Sequence, residues 1–175
     1  ALKAESGDYL NVTLGPRHIC DLELLLCGGM SPLRGFMDQA SYESVLSQMR
    51  LPDGNLWSIP ITFGVPDGVA EKIEPGQRLA LCDGEGYMLA ALTVSDKWQP
   101  DQQREAQEIF GTTSTQHPGV RYLLEQVNDT YIGGEVTGAQ MPIHNDFETL
   151  RDTPEDLRHL FTKMGWQNVV AFHTC

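Results

Sequence analysis

Several things are scarce in this 175-residue chain. No apolar run approaches the ~20 residues needed to cross a bilayer as a helix. The opening Ala1-Leu-Lys-Ala-Glu-Ser-Gly-Asp8 holds no apolar core of the signal-peptide kind. Basic residues are few, 12 Lys and Arg against 24 Asp and Glu, a net charge of −12. That balance argues against nucleic-acid backbones and anionic membranes as partners, because both are held by clustered cations. The 4 cysteines include no C-x-x-C pair, so neither structural zinc nor a redox motif is expected. Cys20 and Cys27 lie about 10 Å apart along one predicted helix, too far for a disulfide. Reduced thiols in a cytoplasmic protein are the expectation. Internal repeats and low-complexity tracts are absent. What remains, 41% hydrophobic and 21% charged, is enough for one medium domain or one domain plus part of another.

The positive signals begin with alternation over 9–14, where Leu10, Val12 and Leu14 share one side of a predicted strand. Pro16 then opens a helix whose Ile19, Leu22, Leu25 and Leu26 recur at helical spacing, and Gly28-Gly29 ends it. Ser31-Pro-Leu-Arg-Gly-Phe-Met37 is a tight connector. Tyr42, Val45, Leu46 and Met49 predict a second helix capped by Asp38. Trp57, Ile59, Ile61, Phe63 and Val65 alternate as a strand that Pro60 confines to an edge or a bulge. Turn signals at Pro66-Asp-Gly68, Glu74-Pro-Gly76 and Asp83-Gly-Glu-Gly86 bracket two more strands, over 78–82 and 87–95. Asp101 caps a helix that Gly111 ends, and Pro118 starts another with Val120, Leu123, Leu124 and Val127 inward. Residues 128–150 carry weak strand signals. Short strands at this spacing point to a small barrel or sandwich.

The last segment differs. Thr153 and Asp156 form a capping-box-like start, followed by an apolar stripe of Leu157, Leu160, Phe161 and Met164. Residues 168–172 read as a short strand buried on both faces of a parallel sheet. In such sheets anions bind just past the strand's carboxyl end, the place of His173, Thr174 and Cys175.

Two strings stand out, Leu14-Gly-Pro-Arg17 running into Cys20-Asp-Leu-Glu-Leu-Leu25, and Ser31-Pro-Leu-Arg-Gly-Phe-Met37. With Asp53-Gly-x-Leu-Trp-x-Ile-Pro-Ile-Thr62, Phe110-Gly-Thr-Thr, His117-Pro-Gly-Val120 and Gly165-Trp-x-x-Val-Val-Ala-Phe172, they resemble the N-terminal part of ATP sulfurylases, the sulfate adenylyltransferases. The resemblance implies an α+β chain. A PUA-like, β-barrel-type domain with surrounding helices would span 1–150, and the opening helix and strand of a Rossmann-like catalytic domain 151–175. It implies the reaction of ATP, with magnesium, and sulfate to adenylylsulfate and pyrophosphate, in sulfate assimilation. It also implies a homo-oligomeric parent, sometimes with a fused adenylylsulfate kinase. The family follows its strand with Gln-Thr-Arg-Asn-Pro-x-His-x-x-His, which holds sulfate and the ATP phosphates. Thr174 matches, His173 stands at the Gln position, and Cys175 at the Arg position, where a thiol supplies no fixed cationic fork. No complete catalytic set, cofactor site or metal site is therefore expected in this chain, whose role would be structural. The alternatives are a PUA-like RNA-binding module and a non-catalytic, sulfurylase-like regulatory domain.

Other candidates read as structural. His117 precedes a helix and reads as a cap or packing residue. His144, with Asp146 and Glu148 nearby, is a weak metal pattern. His18 and His159 are expected at surfaces or boundaries, and Trp57, Trp98 and Trp166 as core anchors.

Overall fold

The computed structural model describes residues 6–172. Its framework is one six-stranded sheet in the order β1 (Leu10–Thr13), β4 (Arg78–Cys82), β5 (Met88–Trp98), β6 (Thr130–Gly138) and β2 (Gly35–Phe36), with β3 (Gly64–Val65) also paired to β6. Only β1 and β4 run parallel, in the register Val12 to Leu81; the other ladders are antiparallel. Alternation along β1 buries Val12, and Leu14 follows it inward as its N–H donates to the Cys82 carbonyl at 2.8 Å.

Local chemistry starts and stops the helices where the sequence places the signals. In α1 (Pro16–Leu26) proline stands in the first turn and Leu22 and Leu25 are buried; Gly28 takes φ 78° just beyond its end. The Asp38 carboxylate caps α2 (Gln39–Gln48), accepting from Ser41 N–H at 2.8 Å. Asp101 does the same for α4 (Gln102–Phe110), accepting from Arg104 N–H at 3.0 Å. Between them lies the short α3 (Asp67–Ala70), and α5 (Pro118–Gln126) follows, burying Val120 and Leu123.

Four expectations need correction. Met49 does not continue the buried stripe of α2: it ends the helix at φ 53° and is 54% exposed. The long strand over 57–65 shrinks to β3. Its backbone bonds go to separate partners instead, Trp57 N–H to Met49 O, and Ile61 O accepting from Met37 N–H, both at 2.9 Å. The sheet is not a closed barrel. It curls until Val12 at one edge and Phe36 and Val65 at the other share one core with Leu22, Leu81, Leu92 and Ile132. Among the described residues, however, no ladder joins β1 to β2 or β3. Finally, residues 168–172 form no strand, and Val170 and Phe172 are 87% and 90% exposed. A strand meant to be covered on both faces needs neighbours, and none lies beside it among the described residues.

Ahead of that segment, α6 (Pro154–Lys163) carries the expected capping box: Thr153 Oγ1 accepts from Asp156 N–H, and Asp156 Oδ2 from Thr153 N–H at 3.1 Å. It buries no residue.

Candidate functional site

His173, Thr174 and Cys175, the residues expected to begin an anion loop, lie outside the described residues. What the structure shows is the approach to them. Residues 139–172 leave the sheet at Leu89, whose carbonyl accepts from Ala139 and Gln140 N–H at 2.8 and 3.1 Å. His144 Nε2 then meets both carboxylate oxygens of Glu23, at 2.8 and 2.9 Å, and ties the segment to α1. His144 thus has a partner across the fold, and among the described residues no group of three or more His, Cys, Asp or Glu is placed to hold a metal.

Beyond that tie the side chains face outward. Most of the exposed large apolar residues of the described chain fall in 141–172. Ile143 is 83% exposed, Phe147 73% and Leu150 75%. Trp166, 54% exposed, stacks on Phe161 with ring centroids 5.8 Å apart. Trp166 is therefore no core anchor. Trp98 is buried as expected and Trp57 packs half-buried against Met37, Val45 and Leu51. Exposed large apolar residues gathered in one stretch of chain make it the candidate interaction surface.

The remaining histidines divide. His117 is the N-cap of α5, its Nδ1 accepting from Val120 N–H at 3.4 Å. His159 is exposed on α6. His18 is a half-buried boundary residue, as expected, and its ring meets Phe63 edge-on at 5.0 Å. Burial, with the Arg17 charge beside it, lowers its pKa to about 4. Arg17 itself lies over the Tyr122 ring, 5.0 Å from its centroid.

The buried polar centre that sequence reading missed is Glu105. Its Oε2 accepts from both Tyr42 and Tyr131 hydroxyls at 3.0 Å, joining α4 to α2 and β6. Burial raises its carboxyl above the ordinary range, while the two hydroxyls and the more distant Arg17 pull the other way. Both phenols are raised, first by burial and then by the Glu105 charge. The available signal was position: Gln102, Glu105, Ala106 and Ile109 share one helical stripe, and Ala106 is buried. This centre joins α4 to α2 and β6 inside the core; the outward-facing apolar segment is the stronger functional feature.

Residues 1–141 match the family model of the PUA-like domain. The chain belongs to the PUA-like domain family. Within this PUA-like chain the similarity to known proteins extends past the matched domain. It is 45% identical over 171 residues to the sulfate adenylyltransferase of Kluyveromyces lactis, covering 98% of this chain and 34% of that protein. It is 42% identical over 172 residues to the sulfate adenylyltransferase of Saccharomyces cerevisiae, with coverage of 98% and 34%. The enzyme of the same name from Coccidioides immitis is 47% identical over 178 residues, covering 99% of this chain and 30% of that protein. Among solved structures, the hexameric APS kinase from Thiobacillus denitrificans superposes with a TM-score of 0.72 at 38% identity, over 94% of this chain and 28% of that one. The chain thus spans about a third of the length of these relatives.

Proposed function

We propose that this PUA-like chain is the N-terminal, structural part of a sulfate adenylyltransferase, and that residues 151–172 dock it onto the rest of that protein. The observation that carries the reading is the run of exposed apolar residues on a segment that lies past the matched PUA-like domain yet within matches covering 98–99% of the chain. Domain body and docking segment divide near residue 150. The α6 stripe and the exposed 168–172 segment are then the opening helix and strand of an α/β catalytic sheet, which supplies the covering neighbours. His173, Thr174 and Cys175 begin the loop that meets sulfate and the phosphates of magnesium-bound ATP, substrates of the whole enzyme. The solved neighbour, a hexamer, supports a homo-oligomeric parent, and its being an APS kinase supports an adenylylsulfate kinase region in the same polypeptide. Among the described residues no helix is long and apolar enough to cross a membrane, in keeping with a cytoplasmic place for the parent.

Two measurements test this. The purified chain, given ATP, magnesium and sulfate, is expected to release no pyrophosphate; formation of adenylylsulfate by it alone overturns the structural role. Reading the gene past the Cys175 codon is expected to give an Asn-Pro-x-His-x-x-His continuation, and an unrelated sequence there overturns the parent enzyme.

A further inference from the structure

A trough runs between the β4–β5 turn and the segment leaving the sheet, away from residues 168–172. Its volume is about 700 Å³, within the range of small-molecule sites, and Ile19, Tyr87, Leu89, Pro142 and Ile143 supply its apolar lining. Both walls are held in place. On one side Asp83 Oδ1 accepts from Glu85 and Tyr87 N–H at 3.0 and 2.8 Å, and Asp83 N–H donates to Tyr87 O at 3.0 Å. On the other, the two bonds to the Leu89 carbonyl and the His144–Glu23 pair fix residues 139–144. The floor is dry, with Leu89 only 2% exposed, yet Tyr87 and Ile143 stand 60% and 83% exposed above it.

The charged lining is of one sign. Asp83 and Glu85 line the trough, Gln140 and Asn145 add neutral polar groups, and among the described residues no Lys or Arg contributes. Carboxylates at the rim of a low-dielectric concavity focus a negative potential into it, and the exposed face of Tyr87 offers a π surface to a cation. An anion is repelled here, and a purely apolar ligand leaves the acids unused. We propose that this trough binds an organic cation with an apolar stem: an ammonium or guanidinium head set against Glu85 and the Tyr87 ring, with the stem on Ile19, Leu89 and Pro142. The proposal stands apart from the parent-enzyme reading.

The test is a titration of the 175-residue chain with phenethylammonium, followed by amide chemical shifts, with 3-phenylpropionate as the anion of similar shape. The expected result is saturable shifts at Leu89, Gln140 and Asn145, with a Kd on the order of 1 mM for so small a probe, and binding of the anion about tenfold weaker or less. Glu85→Gln and Tyr87→Leu each weaken the cation about threefold or more; both side chains are exposed, and the turn is held by main-chain amides that the substitutions keep. Absence of saturation by about 20 mM, or equal binding of cation and anion, overturns the proposal. So does movement of the same amides on diluting the protein alone, which would assign the trough to a second copy of the chain.

Discussion

Two phenols converge on one oxygen of Glu105, so the carboxyl cannot be removed without orphaning both. Glu105→Ala is expected to cost about 2–4 kcal/mol, whereas Glu105→Gln, which keeps an amide oxygen as acceptor, should stay within about 1 kcal/mol of the parent at pH 7. Urea midpoints check this, and equal stability of the two variants counts against it. The sign of the pH effect follows from the raised carboxyl. Its contribution is fully present below the ordinary carboxylate range and is lost as pH rises through the raised value; the Gln variant lacks that loss. His18 acts in the opposite sense. Its folded value of about 4 lies below the ordinary 6.5, so the unfolded chain binds the extra proton between them. The stability it contributes is present above pH 6.5 and falls towards pH 4, by at most about 3 kcal/mol. The difference between parent and His18→Asn should therefore narrow over that interval in urea titrations.

At the level of elements, β6 turns on its glycines. A Cβ on Gly134 would collide with the Thr93 backbone, and one on Gly133 would come within 2.7 Å of the Met37 carbonyl, where β5 bulges between Val94 and Asp96. Gly134→Ala is expected to destabilise by more than about 2 kcal/mol. By contrast Gly68→Ala, in α3 with nothing within 4 Å of the new carbon, should be neutral or stabilising by about 0.5 kcal/mol. Thermal melts of the pair distinguish close strand approach from a general intolerance of alanine. The same glycines explain why β6 was hard to read from sequence. Their identity is set by neighbouring backbones, which no local pattern records. The helix ends were legible because caps act within three or four residues, as at Asp38, Asp101 and Thr153. The alternation over 57–65 misled because Ile61 and Phe63 do point toward the core while their hydrogen bonds go to β2 and β6 separately. Glu105 was not legible as a buried acid because its partners lie 63 and 26 residues away in sequence. The docking stripe of α6 was legible as a stripe, but only the structure shows it uncovered.

Taken whole, the molecule is a well-packed body with an apolar segment that contributes little to the body's own packing. Ending the chain at residue 150 is expected to leave the melting temperature within about 2 °C, since α6 buries nothing. It should also lower self-association and the binding of hydrophobic dyes, because the exposed Leu160, Met164, Trp166, Val169, Val170 and Phe172 go with it. Sedimentation of the two lengths checks this, and a large drop in melting temperature would show that the segment supports the body after all.

The tryptophans inherit the same division. Trp98 is 8% exposed and its indole N–H has no acceptor among the described residues, while Trp166 is 54% exposed at the far end of α6. With half-buried Trp57 contributing between them, Trp98 gives native emission a blue-shifted component that iodide does not quench and that vanishes on unfolding, and Trp166 a red-shifted, quenchable one that should turn blue when the segment finds its cover.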